Sequence, residues 1–263
     1  MGSVLGQALI ASKTVKPEQV VVYDHGADKK HFHRGIRFVK NEQEVVDDAN
    51  VIFLCVRPLE VVDVARGLRP LQPPLGKGAK KNQFPIIISI AAGVSLTSLQ
   101  KYFGSYVIRI MPSYTQRVLA GPILYCRNDK TSPHTLEQMV QLMRFVGDPM
   151  EVPEKFLETA TDLTGCSPAF WAYLLHVFIE EAARRGLPRE VAERAAKLSM
   201  HASVQAFMNE KDLITVVDCV ATPGGITREG VRVLEREFPK TMKRVFDATE
   251  RKYRKLHQFL EGR

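Results

Sequence analysis

The sequence predicts an α/β fold, a doubly wound parallel sheet covered by helices, followed by an all-helical domain. Three observations predict it. Short, wholly apolar runs recur between helical stretches as far as about Val152. Beyond Pro153 such runs stop, and apolar residues repeat at helical spacing instead. A strand that is apolar on both faces is one buried between two layers of helices, as in a parallel sheet. The division is expected near residue 152, giving a first domain over 1–152 and a second over 153–263.

In chain order, Met1–Gly6 reads as the inside of a helix with no strand before it. Val20–Tyr23 is a β-branched run that ends at Asp24. Val51–Val56 is continuously apolar and stops at Pro58, and Ile86–Ile90 ends at Ala91-Ala92-Gly93. Tyr106–Ile110, Ile123–Cys126 and a weak run near Met150–Val152 follow, with helices expected over Asn41–Ala49 and Thr97–Tyr102. In the second half Lys155–Leu163, Pro168–Arg185, Arg189–Met208 and Lys211–Cys219 read as helices. Ser167-Pro168 is expected to be an N-cap with Pro at the first helical position. Gly186 and Pro188 separate two of these helices. Phe170, Trp171, Leu174, Leu175, Val177 and Phe178 make an apolar face broad enough for burial between helices or across a dimer interface.

Composition narrows the class. At 263 residues, with 45% hydrophobic and 25% charged residues, the chain is globular rather than fibrous or intrinsically disordered. The formal charge is +8, with a basic cluster at Lys77, Lys80 and Lys81 and a basic tail from Lys240 onward. A basic stripe can bind nucleic acid, but no aromatic interleaving or recognition-helix pattern accompanies it, so it reads as a solvated helix face. The four cysteines, Cys55, Cys126, Cys166 and Cys219, form no CxxC pair, which speaks against a zinc site or disulfide framework and for a reducing, cytoplasmic setting. No apolar run reaches membrane-spanning length. The start lacks a signal-peptide charge pattern, and Gly6 stands where a myristoylation signal requires Ser or Thr.

Several segments could carry chemistry. Thr222-Pro223-Gly224-Gly225-Ile226-Thr227 is a tight turn running into a helix, where N–H groups can receive a carboxylate or phosphate. Seen alone, it reads first as a plain loop with capping threonines. Cys55-Val56-Arg57-Pro58, Ile90-Ala91-Ala92-Gly93-Val94 and Arg109-Ile110-Met111-Pro112-Ser113 each end a buried strand, where open α/β sheets bind ligands, although each taken singly reads as a βα turn. Gly165-Cys166-Ser167-Pro168 is a small-residue turn before a long helix. His31 and His33 could form a metal pair, but no third ligand is evident, so no metal is expected. His176 and His201 read as packed or surface residues. Cys166 has no base partner that would make it a nucleophile.

Taken in series, these segments resemble the pyrroline-5-carboxylate reductase family over about residues 1–238. The motifs are Val51–Pro58, Ser89–Val94, Arg109–Pro112, Gly165–Phe170, Gly186–Arg189 and Pro223–Thr227. Arg109–Arg117 is more similar to the late-competence ComER-like branch. The resemblance implies a Rossmann domain, a helical domain that intertwines with a second subunit in a homodimer or larger homo-oligomer, and reduction of L-1-pyrroline-5-carboxylate to L-proline by NADPH or NADH. It implies that Gly2, Val56, Arg57, Pro58, Ala91, Ala92, Gly93 and Ser113 line the dinucleotide. Asp24 stands where an acid binds the ribose, which favours NAD, while Lys29 and Lys30 could meet a 2′-phosphate. It casts Thr222, Gly224, Gly225, Ile226 and Thr227 as substrate-binding, with the Thr227 hydroxyl at the ring nitrogen as the catalytic group. Arg57, Ser113-Tyr114-Thr115, Ser167 and Phe170 depart from the usual Lys, Asn-Thr-Pro, Gly and Tyr. A reductase-like protein without turnover that binds a ligand or partner is therefore the second reading. By the same resemblance Gly2 aligns with the last glycine of G-x-G-x-x-G, and the strand and first two glycines of that motif are expected to be absent from this chain.

Overall fold

The computed structural model describes residues 1–26, 32–68, 85–104, 107–129, 131–210 and 212–261. They form two compact units, Met1–Pro168 with Glu250–Arg263, and Ala169–Thr249.

The first unit contains α1 (Gly2–Ala11), β1 (Val21–Val22), β2 (Arg37–Phe38), α2 (Glu42–Asp48), β3 (Val51–Leu54), α3 (Val61–Gly67) and β4 (Ile86–Ser89). It continues with α4 (Leu96–Phe103), β5 (Val107–Met111), β6 (Pro122–Arg127), α5 (Pro133–Arg144), β7 (Asp148–Glu151) and α6 (Leu157–Thr161). Strands β3 to β7 pair in sequence order. Successive residues of β5 face opposite layers of core, which is why the strand is apolar throughout. Ile108 and Ile110 pack with Leu5 and Leu9 of α1 and Met139 and Met143 of α5. Val107 packs on the other side with Val61 of α3 and Leu99 and Phe103 of α4. Leu157 of α6 is fully buried among Leu96, Met111, Leu124 and Cys126. The helical segment after residue 152 thus begins by packing onto the sheet's own unit, which reaches Pro168.

The sheet is mixed where a parallel one was expected. Strand β6 runs antiparallel to β5, with Ile110 opposite Tyr125, while the other pairs are parallel. Only residues 112–121 join β5 to β6, fewer than the roughly dozen that a parallel crossover requires. That link turns through Leu119 in the left-handed region, at φ 54°. Strand β2, which no apolar run announced, pairs with β1 in a separate two-stranded parallel sheet. Among the described residues β1 and β3 each pair on one edge only. A cavity of about 1380 Å³ lies there, lined by Leu5, Val21, Val22, Ile52 and Leu54.

Gly147 enters β7 where no side chain fits. A Cβ there would stand 2.6 Å from the Gly121 carbonyl oxygen and 3.0 Å from the Ile123 side chain. The neighbouring Asp148 N–H donates to that same carbonyl. Gly147→Ala is expected to cost about 1–3 kcal/mol of stability, read by urea unfolding, because backbone must move to admit the methyl.

The helices of the second half are α7 (Ser167–Arg184), α8 (Arg189–Phe207), α9 (Leu213–Val220) and α10 (Ile226–Glu261). Ser167 is not an N-cap. A π-helical turn, Asp162–Cys166, joins α6 to α7, and the Ser167 hydroxyl donates back to the Leu163 carbonyl at 2.8 Å. Widened i→i+5 bonding lets a helix pass Pro168 without ending. Asp212 does cap α9, accepting from Ile214 N and Thr215 N, and these bonds hold its carboxyl below the ordinary range. Helix α10 continues through Pro239. Some of its basic residues pair along the helix, as in Lys243 with Asp247 and Arg254 with Glu250. No helix among the described residues is long and apolar enough to cross a membrane.

Candidate active site

In the first unit, three parallel strands end side by side. After β3, Pro58–Glu60 forms a 3₁₀ turn that Arg57 opens. The Arg57 Nε donates to Glu60 Oε1 at 2.8 Å and its backbone N–H to Glu60 Oε2 at 3.0 Å. This pairing pulls the Glu60 carboxyl down and the Arg57 guanidinium up from their ordinary values. The guanidinium stays exposed, available to an anion. After β4, Ala91 N–H donates to Ser89 Oγ and the chain turns through Gly93 at φ +75°. A Cβ on Gly93 would lie 3.1 Å from Leu256 Cβ, so the last turns of α10 rest on this loop.

After β5, Ser113 is buried and donates its hydroxyl to the Thr164 carbonyl at 2.9 Å. The π-turn helps to present that carbonyl: bulges of this kind release backbone groups and are frequent at functional sites. The Ser113 N–H is taken by the fully buried Gln116, whose amide nitrogen donates to Ala120. Beneath these loops Arg109, 1% exposed, donates to Glu154 at 2.6 Å and to Glu158 at 2.9 Å. Glu154 also accepts from Leu96 N–H at 2.7 Å, so one carboxylate ties β5 to the start of α4, just past Ala91–Gly93.

Gly2, Asp24, Val56 and Arg57 line one cavity. Asp24 is exposed, and its carboxylate accepts from Gly26 N–H at 3.0 Å. A Cβ on Gly2 would sit 3.0 Å from Cys55 Cβ, so α1 approaches the end of β3 as closely as a residue without a side chain permits. Pro58, Ala91, Ala92, Gly93 and Ser113 occupy the turns just beyond the strand ends. The exposed Arg57 guanidinium and Asp24 carboxylate on this cavity suit a dinucleotide, whereas Ala91, Gly93 and Ser113 are buried and Leu256 packs against the turn after β4. Lys29, Lys30 and His31 lie outside the described residues, as do Lys77, Lys80 and Lys81.

The Thr222–Thr227 turn belongs to the second unit. Gly224 takes φ +74°, and Gly225 N–H donates to the Thr222 carbonyl at 2.9 Å. A Cβ on Gly225 would meet Thr222 Oγ1 at 2.7 Å. The expectation of a donor at Gly225 is thereby corrected: its N–H closes the turn. Ile226 is 95% exposed and Thr227 exposed, and α10 starts at Ile226. The first N–H groups of a helix have no intrahelical acceptor. The donors at hand are thus those of Gly224, Ile226 and Thr227, with the hydroxyls of Thr222 and Thr227.

Burial raises the Cys166 thiol above its ordinary value, which keeps it from being a ready nucleophile. His176 lies 3.7 Å from Glu180 on the exposed part of α7, and His201 is exposed on α8. Sequence reasoning missed the Arg109–Glu154–Glu158 cluster, Gln116 and the Arg228 contacts described below. The first had a signal: Arg109 is the one charge inside an otherwise apolar strand, and Glu154 and Glu158 stand four apart on one helical face.

Comparison with known proteins places the chain. Residues 154–256 match the family model described as pyrroline-5-carboxylate reductase dimerisation. A pyrroline-5-carboxylate reductase of Synechocystis sp. is 32% identical over 244 residues, covering 89% of this chain and 88% of that protein. ComE operon protein 4 of Bacillus subtilis is 28% identical over 96% of this chain and 92% of its own length. In fold, the chain is similar to a Plasmodium falciparum pyrroline carboxylate reductase solved with NADP bound, with a TM-score of 0.86 and 22% identity over 98% of this chain and 94% of that one. The motif series, the fold and these relatives agree: the chain belongs to the pyrroline-5-carboxylate reductase family.

Proposed function

We propose that the protein reduces L-1-pyrroline-5-carboxylate, or a closely similar cyclic imino acid, to L-proline with NAD(P)H. The observation that carries this reading is the Thr222–Thr227 turn opening α10, in a chain 32% identical to a pyrroline-5-carboxylate reductase over most of its length. Bound NAD(P)H supplies a hydride. The chain's own residues bind, orient and exclude water. N–H groups of Gly224, Ile226 and Thr227 receive the ring carboxylate, aided by the positive end of the α10 dipole. Gly225 keeps that approach clear of a side chain. Thr222 Oγ1 flanks the turn, and the Thr227 hydroxyl hydrogen-bonds the ring nitrogen as it gains electron density. Arg57 meets a phosphate, Asp24 a ribose hydroxyl, and Gly2, Val56, Pro58 and Ala92 line the dinucleotide, while the buried Ala91, Gly93 and Ser113 shape the turns beneath it.

The active form is a homodimer or larger homo-oligomer built on the second unit. Trp171, Tyr173, Phe178, Met208 and Ile214 are at least half exposed there, an apolar surface that a second copy would cover. The four cysteines of the chain are free, as a cytoplasmic setting would keep them. The purified protein, given pyrroline-5-carboxylate and NADPH or NADH, is expected to consume reduced nicotinamide and release L-proline in equal amounts. Dinucleotide binding with no consumption would favour the reading without turnover.

A further inference from the structure

We propose that Arg228 is a positioning residue that sets the Thr222–Thr227 turn for a carboxylate; this rests on the turn being the site of the ring carboxylate. The turn joins the last residues of α9 to the first of α10 and hinges at two glycines. Its backbone closure consists of Gly225 N–H to Thr222 C=O and Arg228 N–H to Gly225 C=O. The Arg228 side chain adds a second closure. Its Nε donates to the Ala221 carbonyl at 2.9 Å and its terminal nitrogen to Asp218 Oδ1 at 2.7 Å. The guanidinium thus spans from the first turn of α10 to the last turn of α9 and locks both ends of the loop. Ala221 is fully buried, so the anchor is firm.

Charge gives a second reason. Asp218 and Glu235 both lie close to this guanidinium, Glu235 at 3.9 Å, and both are largely exposed, whereas the Arg228 side chain is 19% exposed. Two carboxylates beside an anion site repel an anionic substrate, and Arg228 offsets them. Its donors point to Ala221 and Asp218, so it acts through the turn and not by touching the substrate. Lysine would supply the charge without the planar fork that reaches both partners.

The test uses the whole 263-residue chain in four forms: unaltered, Arg228→Ala, Arg228→Lys, and Arg228→Ala with Asp218→Asn. Arg228→Ala is expected to raise KM for the imino acid about tenfold, as for loss of a charge-assisted hydrogen bond. KM for NADPH is expected to stay within about twofold, the split that separates a substrate-site effect from general damage. Amide exchange at Gly225 is expected to quicken with it. Arg228→Lys should recover only part of the loss. Adding Asp218→Asn to Arg228→Ala should lower KM again by removing the uncompensated carboxylate. An unchanged imino-acid KM with unchanged exchange, or an equal rise in both KM values, would overturn the proposal. No turnover by the unaltered chain would count against the reaction itself, and the exchange of the turn amides would still decide the role of Arg228.

Discussion

Thr227→Ala is expected to lower kcat for imine reduction about 10²-fold, the scale for removing one positioned proton-transfer or hydrogen-bonding group. As hydride reaches the imine carbon, the ring nitrogen gains the electron pair of the C=N bond. A hydroxyl there stabilises the transition state more than the ground state, so the loss belongs in kcat. Thr222→Ala should cost less. Thr222 stands at the near side of the turn, and its carbonyl, which the substitution leaves in place, is what accepts from Gly225 N–H. Steady-state kinetics on both variants checks the order. Near-equal rates for the two would remove Thr227 from its assigned place.

Arg109→Met is expected to destabilise the first unit by about 3 kcal/mol, measured by urea unfolding. Breaking a buried ion pair by removing one partner costs about 3–5 kcal/mol, because the charge left behind is uncompensated. The lower end applies because Glu154 is 35% exposed and water screens it, while Glu158 is 18% exposed. Removing the stranded charges as well, in Arg109→Met with Glu154→Gln and Glu158→Gln, should restore part of the loss. A change below about 0.5 kcal/mol, the level of an ordinary surface substitution, would mean that the cluster does not hold β5 to the helices above it.

The contrast between these two residues shows what a sequence can disclose. The turn and the start of α10 were legible because turn chemistry is local: Pro-Gly-Gly followed by an apolar helical pattern marks a helix start, while the role of Thr227 came only from the family resemblance. Strands β3, β4 and β5 were legible for a similar reason, since burial on both faces writes itself as an unbroken apolar run. The direction of β6 was not written in its residues, because an antiparallel strand covered on both faces is as apolar as a parallel one. Only the short link over residues 112–121 carried the information. Ser167-Pro168 misled because the same dipeptide that opens a helix can sit after a π-turn inside one. The partners of Arg109 and Arg228 depend on packing across sequence separations that local rules do not reach. For Arg228, Asp218 stands ten residues away on another helix, and nothing in the spacing pairs them.

The activity proposed for this chain is delivery of hydride from a reduced nicotinamide to the imine carbon of a pyrroline carboxylate. The most direct measurement supplies NADPH deuterated at C4 of the nicotinamide, one diastereomer at a time, with unlabelled pyrroline-5-carboxylate, and examines the product by mass spectrometry. The expected product is L-proline one mass unit heavier, with the label at C5, from one of the two diastereomers. Unlabelled proline from both, or no proline while the dinucleotide remains bound, would contradict it.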